Sequence, residues 1–98
     1  MTVLVLPSAW RDLTEIEDWV TENFGVEYAD RTYSRLFKAF SMLADFPGMG
    51  RPRRDVTDHP VRFFLVNPYW IVYQPGSPLL IHRVYHAARD LSRLVLDE

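Results

Sequence analysis

The apolar residues of this chain change their period once, and that change limits the folds open to it. Leu13, Ile16, Val20 and Phe24 recur at helical spacing, as do Ala29, Tyr33, Leu36, Phe37, Phe40, Leu43 and Ala44. Beyond Pro47-Gly48 the pattern becomes short β-branched and aromatic runs: Val61-Arg62-Phe63-Phe64-Leu65-Val66, Tyr69-Trp70-Ile71-Val72-Tyr73-Gln74 and Leu79-Leu80-Ile81-His82-Arg83-Val84-Tyr85. A helical half followed by a stranded half predicts an α+β fold in which the helices cover a mainly antiparallel sheet.

Punctuation refines this. Val3-Leu4-Val5-Leu6 before Pro7 reads as a first strand; it is too short for a membrane span and has no basic flank of the signal-peptide kind. Ser8 is the expected N-cap of helix one, and Gly25 ends that helix. The second helix runs from Glu27 to Phe46, and so short a break makes the two an antiparallel hairpin. Asn67-Pro68 and Pro75-Gly76-Ser77-Pro78 turn the three later strands into a meander. Leu91, Leu94 and Val95 space a final short helix. The expected order is β-α-α-β-β-β-α over one domain, residues 1–98.

Size and composition then restrict function. A chain of 98 residues buries roughly two thirds of its unfolded surface, enough for one core. With 48% hydrophobic residues it is not a disordered chain. No cysteine is present, which removes disulfides and thiolate metal sites and suits a reducing cytoplasm. Residues 1–50 carry four basic and eight acidic side chains, a balance of −4, and residues 51–98 carry seven and five, a balance of +2. Ten of the eleven basic residues are arginine, the side chain suited to bidentate contact with carboxylate or phosphate. The net charge of −2 argues against direct nucleic-acid binding and for a protein partner.

Polar residues concentrate in Arg83-Val84-Tyr85-His86-Ala87-Ala88-Arg89-Asp90-Leu91, where the strand pattern gives way to the expected helix. A helix starting there would present backbone N–H groups beside two arginines, a tyrosine and a histidine. His86 reads either as a general acid or as a local cap. Arg89 and Asp90 read either as helix-end charges, Arg89 pairing with an acid of the hairpin, or as recognition groups. His82 and His86 straddle two elements and make a poor metal pair; neither a metal nor a cofactor is expected. Gly50-Arg51-Pro52-Arg53-Arg54-Asp55 is a basic surface loop, and Trp19 and Trp70 lie off the main apolar stripes.

Asp12-Leu13 in helix one, Phe46-Pro47-Gly48-Met49-Gly50-Arg51-Pro52-Arg53 after helix two, the Tyr69-Trp70-Ile71-Val72-Tyr73 strand and the Arg83 to Leu91 segment together resemble the ParE toxins of the RelE/ParE superfamily. The resemblance covers essentially the whole chain, in order. It implies a RelE/ParE-like fold and the toxin of a type II toxin-antitoxin pair of the kind that stabilises plasmids. It further implies neutralisation by a ParD-like antitoxin and a free toxin that inhibits DNA gyrase without chemistry. Arg51, Arg53, Arg54, Trp70, Arg83, His86, Arg89 and Asp90 are then the expected contacts to antitoxin or target. The superfamily's other activity, ribosome-dependent cleavage of messenger RNA, would draw on Arg83, Tyr85, His86 and Arg89. Against it, Trp70 stands where the resemblance places an arginine in those nucleases, and an indole cannot neutralise a phosphorane. A degenerate toxin that keeps only antitoxin binding is the third alternative.

Overall fold

Pro7 ends the first strand and starts the first helix, because its fixed φ and missing N–H suit the first helical turn. The computed structural model describes residues 2–89, 91 and 94–96. Its elements are β1 (Val3–Val5), α1 (Pro7–Phe24), α2 (Val26–Asp45), β2 (Arg62–Val66), β3 (Tyr69–Gln74) and β4 (Leu79–His86). Leu6 rather than Ser8 is the N-cap of α1. The expected cap lies buried inside the first turn, where Ser8 Oγ accepts a hydrogen bond from Arg11 Nη2 at 2.8 Å. Gly25 joins the helices at φ 92°, a conformation that favours glycine, and its own N–H closes α1 on Thr21 O. α2 runs one residue earlier at both ends than its apolar pattern predicts.

The strands form one sheet in the order β1-β4-β3-β2. β2, β3 and β4 are the antiparallel meander, and β1 returns beside β4 in parallel, Val3 opposite Leu79 and Val5 opposite Ile81. Leu13, Leu36, Phe40 and Leu43 of the hairpin meet Ile71, Tyr73, Leu79 and Ile81 of the sheet in the main core. Each such fully buried side chain contributes about 1.5–3 kcal/mol. Val61, Phe63 and Val72 form a second core on the opposite face of the sheet.

Tyr73 fastens the loop after α2. Its ring is fully buried, its hydroxyl donates to Pro47 O at 2.7 Å, and it accepts from Gly50 N–H at 2.8 Å. Arg62 Nη1 adds a bond to Gly50 O at 2.6 Å. The chain then pairs Arg51 with Phe63 at the outer edge of β2.

Burial pushes the phenols of Tyr33, Tyr69 and Tyr73 above their ordinary value, opposed at Tyr73 by the Gly50 N–H and Arg62. The unfolded chain loses these protons first as pH rises. Stability from these groups is therefore complete below about pH 10 and falls as pH rises through the folded values. Chemical denaturation between pH 8 and 11 should show that fall, and Tyr73→Phe should reduce it.

The terminal helix is the element that differs from expectation. β4 continues through His86; residues 87–89 then turn, Leu91 is one residue of 3₁₀ backbone, and 94–96 are irregular. Asp90, Ser92 and Arg93, which the expected helix also needs, lie outside the described residues. Leu91, Leu94 and Leu96 pack on the second core, while Val95, assigned to the helix's apolar face, is 69% exposed. Alternation of Leu94, Val95 and Leu96 follows an extended segment lying on a sheet, which buries leucines as well as a helix would. Among the described residues no helix is long and apolar enough to cross a membrane.

Candidate functional site

The short β1 and the long β4 together create the site's framework. β1 pairs with β4 only as far as Ile81, which leaves the next stretch of β4 without a strand on that side. Asp12, one turn into α1, fills the gap: its Oδ2 accepts Val84 N–H at 3.0 Å. The same carboxylate takes a bidentate pair from Arg83, Nε to Oδ2 at 2.7 Å and Nη2 to Oδ1 at 2.9 Å. Both side chains are largely buried, the condition under which an ion pair resists screening.

Arg83 reaches Asp12 because the ladder shifts. Tyr73 stands opposite Ile81 and Val72 opposite Arg83, so His82 is an extra residue in β4. One added residue inverts the side-chain alternation. Ile81 and Val84 therefore face the helices, and Arg83 and Tyr85 share the outer face with Val72 and Trp70. His82 itself is buried, its Nε2 3.1 Å from Gln74 Oε1.

Two surfaces result. On the outer face, Arg53 lies 5.9 Å from the ring centroids of both Phe63 and Trp70 and pairs bidentately with Asp55 at 2.8 and 3.1 Å. Tyr85, opposite Trp70 in the ladder, has the guanidinium groups of Arg83 and Arg89 over its ring, at 5.0 and 5.7 Å from the centroid. Arg83 Nη1 also donates to Val95 O at 2.8 Å. A cleft of about 240 Å³ runs from Trp70 past Phe63 and Leu65 to Met49, edged by Arg51 and Arg53.

The second surface is a cleft of about 320 Å³ between α1 and the end of the sheet, with Trp19, Ile16 and Tyr69 as apolar walls and Glu15, His86 and Arg89 as polar ones. It continues toward the hairpin tip, where exposed Phe24 meets Trp19 edge-on at 5.7 Å and Tyr28 at a tilt at 5.1 Å.

The expected site residues thus divide. Arg51, Arg53, Trp70, Arg83 and Tyr85 gather on the outer face. His86 points to the other side, edge-on to Tyr69 at 5.6 Å, and its Nδ1 accepts Ala88 N–H at 3.0 Å, an acceptor role that puts the neutral ring's proton on Nε2. Arg89 borders both surfaces. It rests on Tyr85, and among the described residues it makes no ion pair with the hairpin, one of the two readings open for it. Arg54 is exposed on the turn of the basic loop, and Asp90 lies outside the described residues. Arg83, expected as a contact to antitoxin or target, is paired with Asp12 within the chain. The signal for that was available: Ala9, Asp12, Leu13, Ile16 and Val20 share one helical stripe, and a lone carboxylate in an apolar stripe calls for a buried partner.

Comparison with known proteins agrees with this architecture. The family model for the ParE toxin of the type II toxin-antitoxin system, parDE, matches residues 3–91. Toxin ParE3 of Caulobacter vibrioides is 32% identical over 82 residues, covering 83% of this chain and 81% of that protein. A solved structure of the chromosomal ParDE TA system from P. aeruginosa superposes with a TM-score of 0.71 at 24% identity, covering 88% of this chain and 95% of that one.

Proposed function

This chain belongs to the ParE toxin family of type II toxin-antitoxin systems, and from that premise we propose that it acts by contact, as a non-enzymatic inhibitor of DNA gyrase held in check by a ParD-type antitoxin. The observation that carries the non-enzymatic reading is the state of Arg83. Its charge is matched by a buried carboxylate and a third N–H is on Val95 O, so it has no spare charge for a phosphorane. Tyr85 and His86, the acid-base pair a nuclease would require, are neighbours on one strand and face opposite sides of it. What the outer face offers is aromatic and arginine-rich, the composition of a protein-binding hot spot.

The test is purified protein assayed in parallel for inhibition of gyrase supercoiling and for messenger cleavage on translating ribosomes. Inhibition that the antitoxin reverses supports the proposal. Cleavage without gyrase inhibition would replace it with the nuclease reading, and antitoxin binding with neither activity would mark a degenerate toxin.

Arg89 supplies a finer check. Its side chain is exposed and lies on Tyr85, so Arg89→Ala should change stability by no more than about 0.5 kcal/mol. Gyrase inhibition should nevertheless fall sharply. Full inhibition by the folded variant would remove Arg89 from the working surface.

A further inference from the structure

Trp19 takes no part in either core. It lies off the apolar stripe of α1, is 53% exposed, and stands between Glu15 and Glu22 on the same helix face with Asp18 beside it. All three carboxylates are exposed, and among the described residues none of them is in an ion pair. The indole is held in place nonetheless: Phe24 meets it edge-on at 5.7 Å, and Tyr28 braces Phe24 at 5.1 Å. Three aromatic rings that brace one another yet stay exposed make a patch that folding alone does not account for. Next to it the cleft of about 320 Å³, walled by Ile16 and Tyr69, has room for one large apolar side chain. The cleft is also polarised, with Glu15 on its α1 side and His86 and Arg89 on the side of the sheet.

We infer that this cleft is where the chain meets gyrase, and that it takes an apolar side chain from a segment of that enzyme which also carries arginine or lysine; the inference rests on the gyrase reading above. An enzyme that holds DNA presents basic side chains to the phosphates, so the surface along its DNA path is positive. The two apolar clefts of this chain would meet such a surface differently. The one at Trp70 is edged by Arg51 and Arg53, whose charge opposes it, whereas the one at Trp19 opens beside Glu15, Asp18 and Glu22. The −4 balance of residues 1–50 adds a longer-range attraction to the same side. An aromatic anchor braced before binding loses little side-chain freedom on docking, and the three carboxylates gain cations without giving up an existing pair. Arg89, across the cleft, would donate to a carbonyl or carboxylate of the same segment and so fix its direction.

The measurement is the concentration of the full chain that halves gyrase supercoiling, with antitoxin binding and circular dichroism followed on the same proteins. Trp19→Ala should raise that concentration at least about tenfold, the loss expected of a central aromatic anchor, while antitoxin binding stays unchanged. Trp10→Ala removes a tryptophan of similar exposure outside the cleft and should leave inhibition as it is. Glu15→Gln/Asp18→Asn/Glu22→Gln keeps the size of three exposed side chains and so keeps the fold, and it decides the matter if Trp19→Ala does not fold. Its deficit should be largest at low salt and shrink as ionic strength screens the attraction in the unsubstituted chain. A triple variant as potent as the unsubstituted chain at low salt overturns the cationic partner. A folded Trp19→Ala of full potency overturns the cleft as the meeting point, and equal losses of inhibition and antitoxin binding would assign the cleft to the antitoxin. An unsubstituted chain that leaves gyrase uninhibited removes the gyrase reading itself, and this assignment with it.

Discussion

Asp12→Ala should lower stability by about 3 kcal/mol, since removing one member of a buried ion pair strands the other. Arg83 would lose the carboxylate that takes its Nε and Nη2, and Val84 N–H would lose its acceptor. For a chain of this size that loss corresponds to a fall in melting temperature on the order of 15 °C. Asp12→Asn should recover only part, because the amide can accept from Val84 but cannot neutralise Arg83. In a double-mutant cycle with Arg83→Met the two losses should fall well short of adding. Additive losses in thermal or urea denaturation would show that the pair contributes nothing as a pair. Since Arg83 also holds Val95 O, Asp12→Ala should loosen the C-terminal segment, seen as faster amide exchange over 94–96.

Gly50→Ala should be the second large effect, at about 2–3 kcal/mol, the upper part of the range for overpacking a filled core. A Cβ on Gly50 would lie 2.6 Å from both Cε1 and the hydroxyl of Tyr73 and 3.0 Å from Phe63 O. Two of those neighbours belong to a ring with no exposed surface and the third is backbone, so nothing can move cheaply. The substitution also threatens the Gly50 N–H bond to the tyrosine oxygen. Tyr73→Phe alone should cost about 1–2 kcal/mol for the hydroxyl's two bonds. In its background Gly50→Ala should cost less, since part of the clash is with the oxygen. Gly50→Ala with unchanged stability would mean the loop can leave the ring freely. Gly48 is the control, as a Cβ there meets nothing within 4 Å.

These two sites show how far the chain could be read in one dimension. Both helices, the three later strands and the outward position of Trp70 follow from spacing alone, because apolar residues at 3.6 or 2.0 periods leave few other ways to bury them. The end of the chain misled because Leu91, Leu94 and Val95 fit helical spacing, while Leu94 and Leu96 fit an extended segment equally well. A run of six or seven residues does not distinguish the two. Ser8 misled because proline at the first helical position moves the start of α1 ahead of any serine cap.

The amino-acid order by itself determined the elements, their order and the gathering of arginines and aromatics in the second half, all consequences of local periodicity and side-chain chemistry. The tertiary structure alone decided what each polar group does. The extra residue at His82 turns Arg83 and Tyr85 to the outer face, and the short β1 leaves an edge that Asp12 completes from 72 residues away in sequence. Register and edge exposure are properties of paired strands, and no spacing within one segment encodes them.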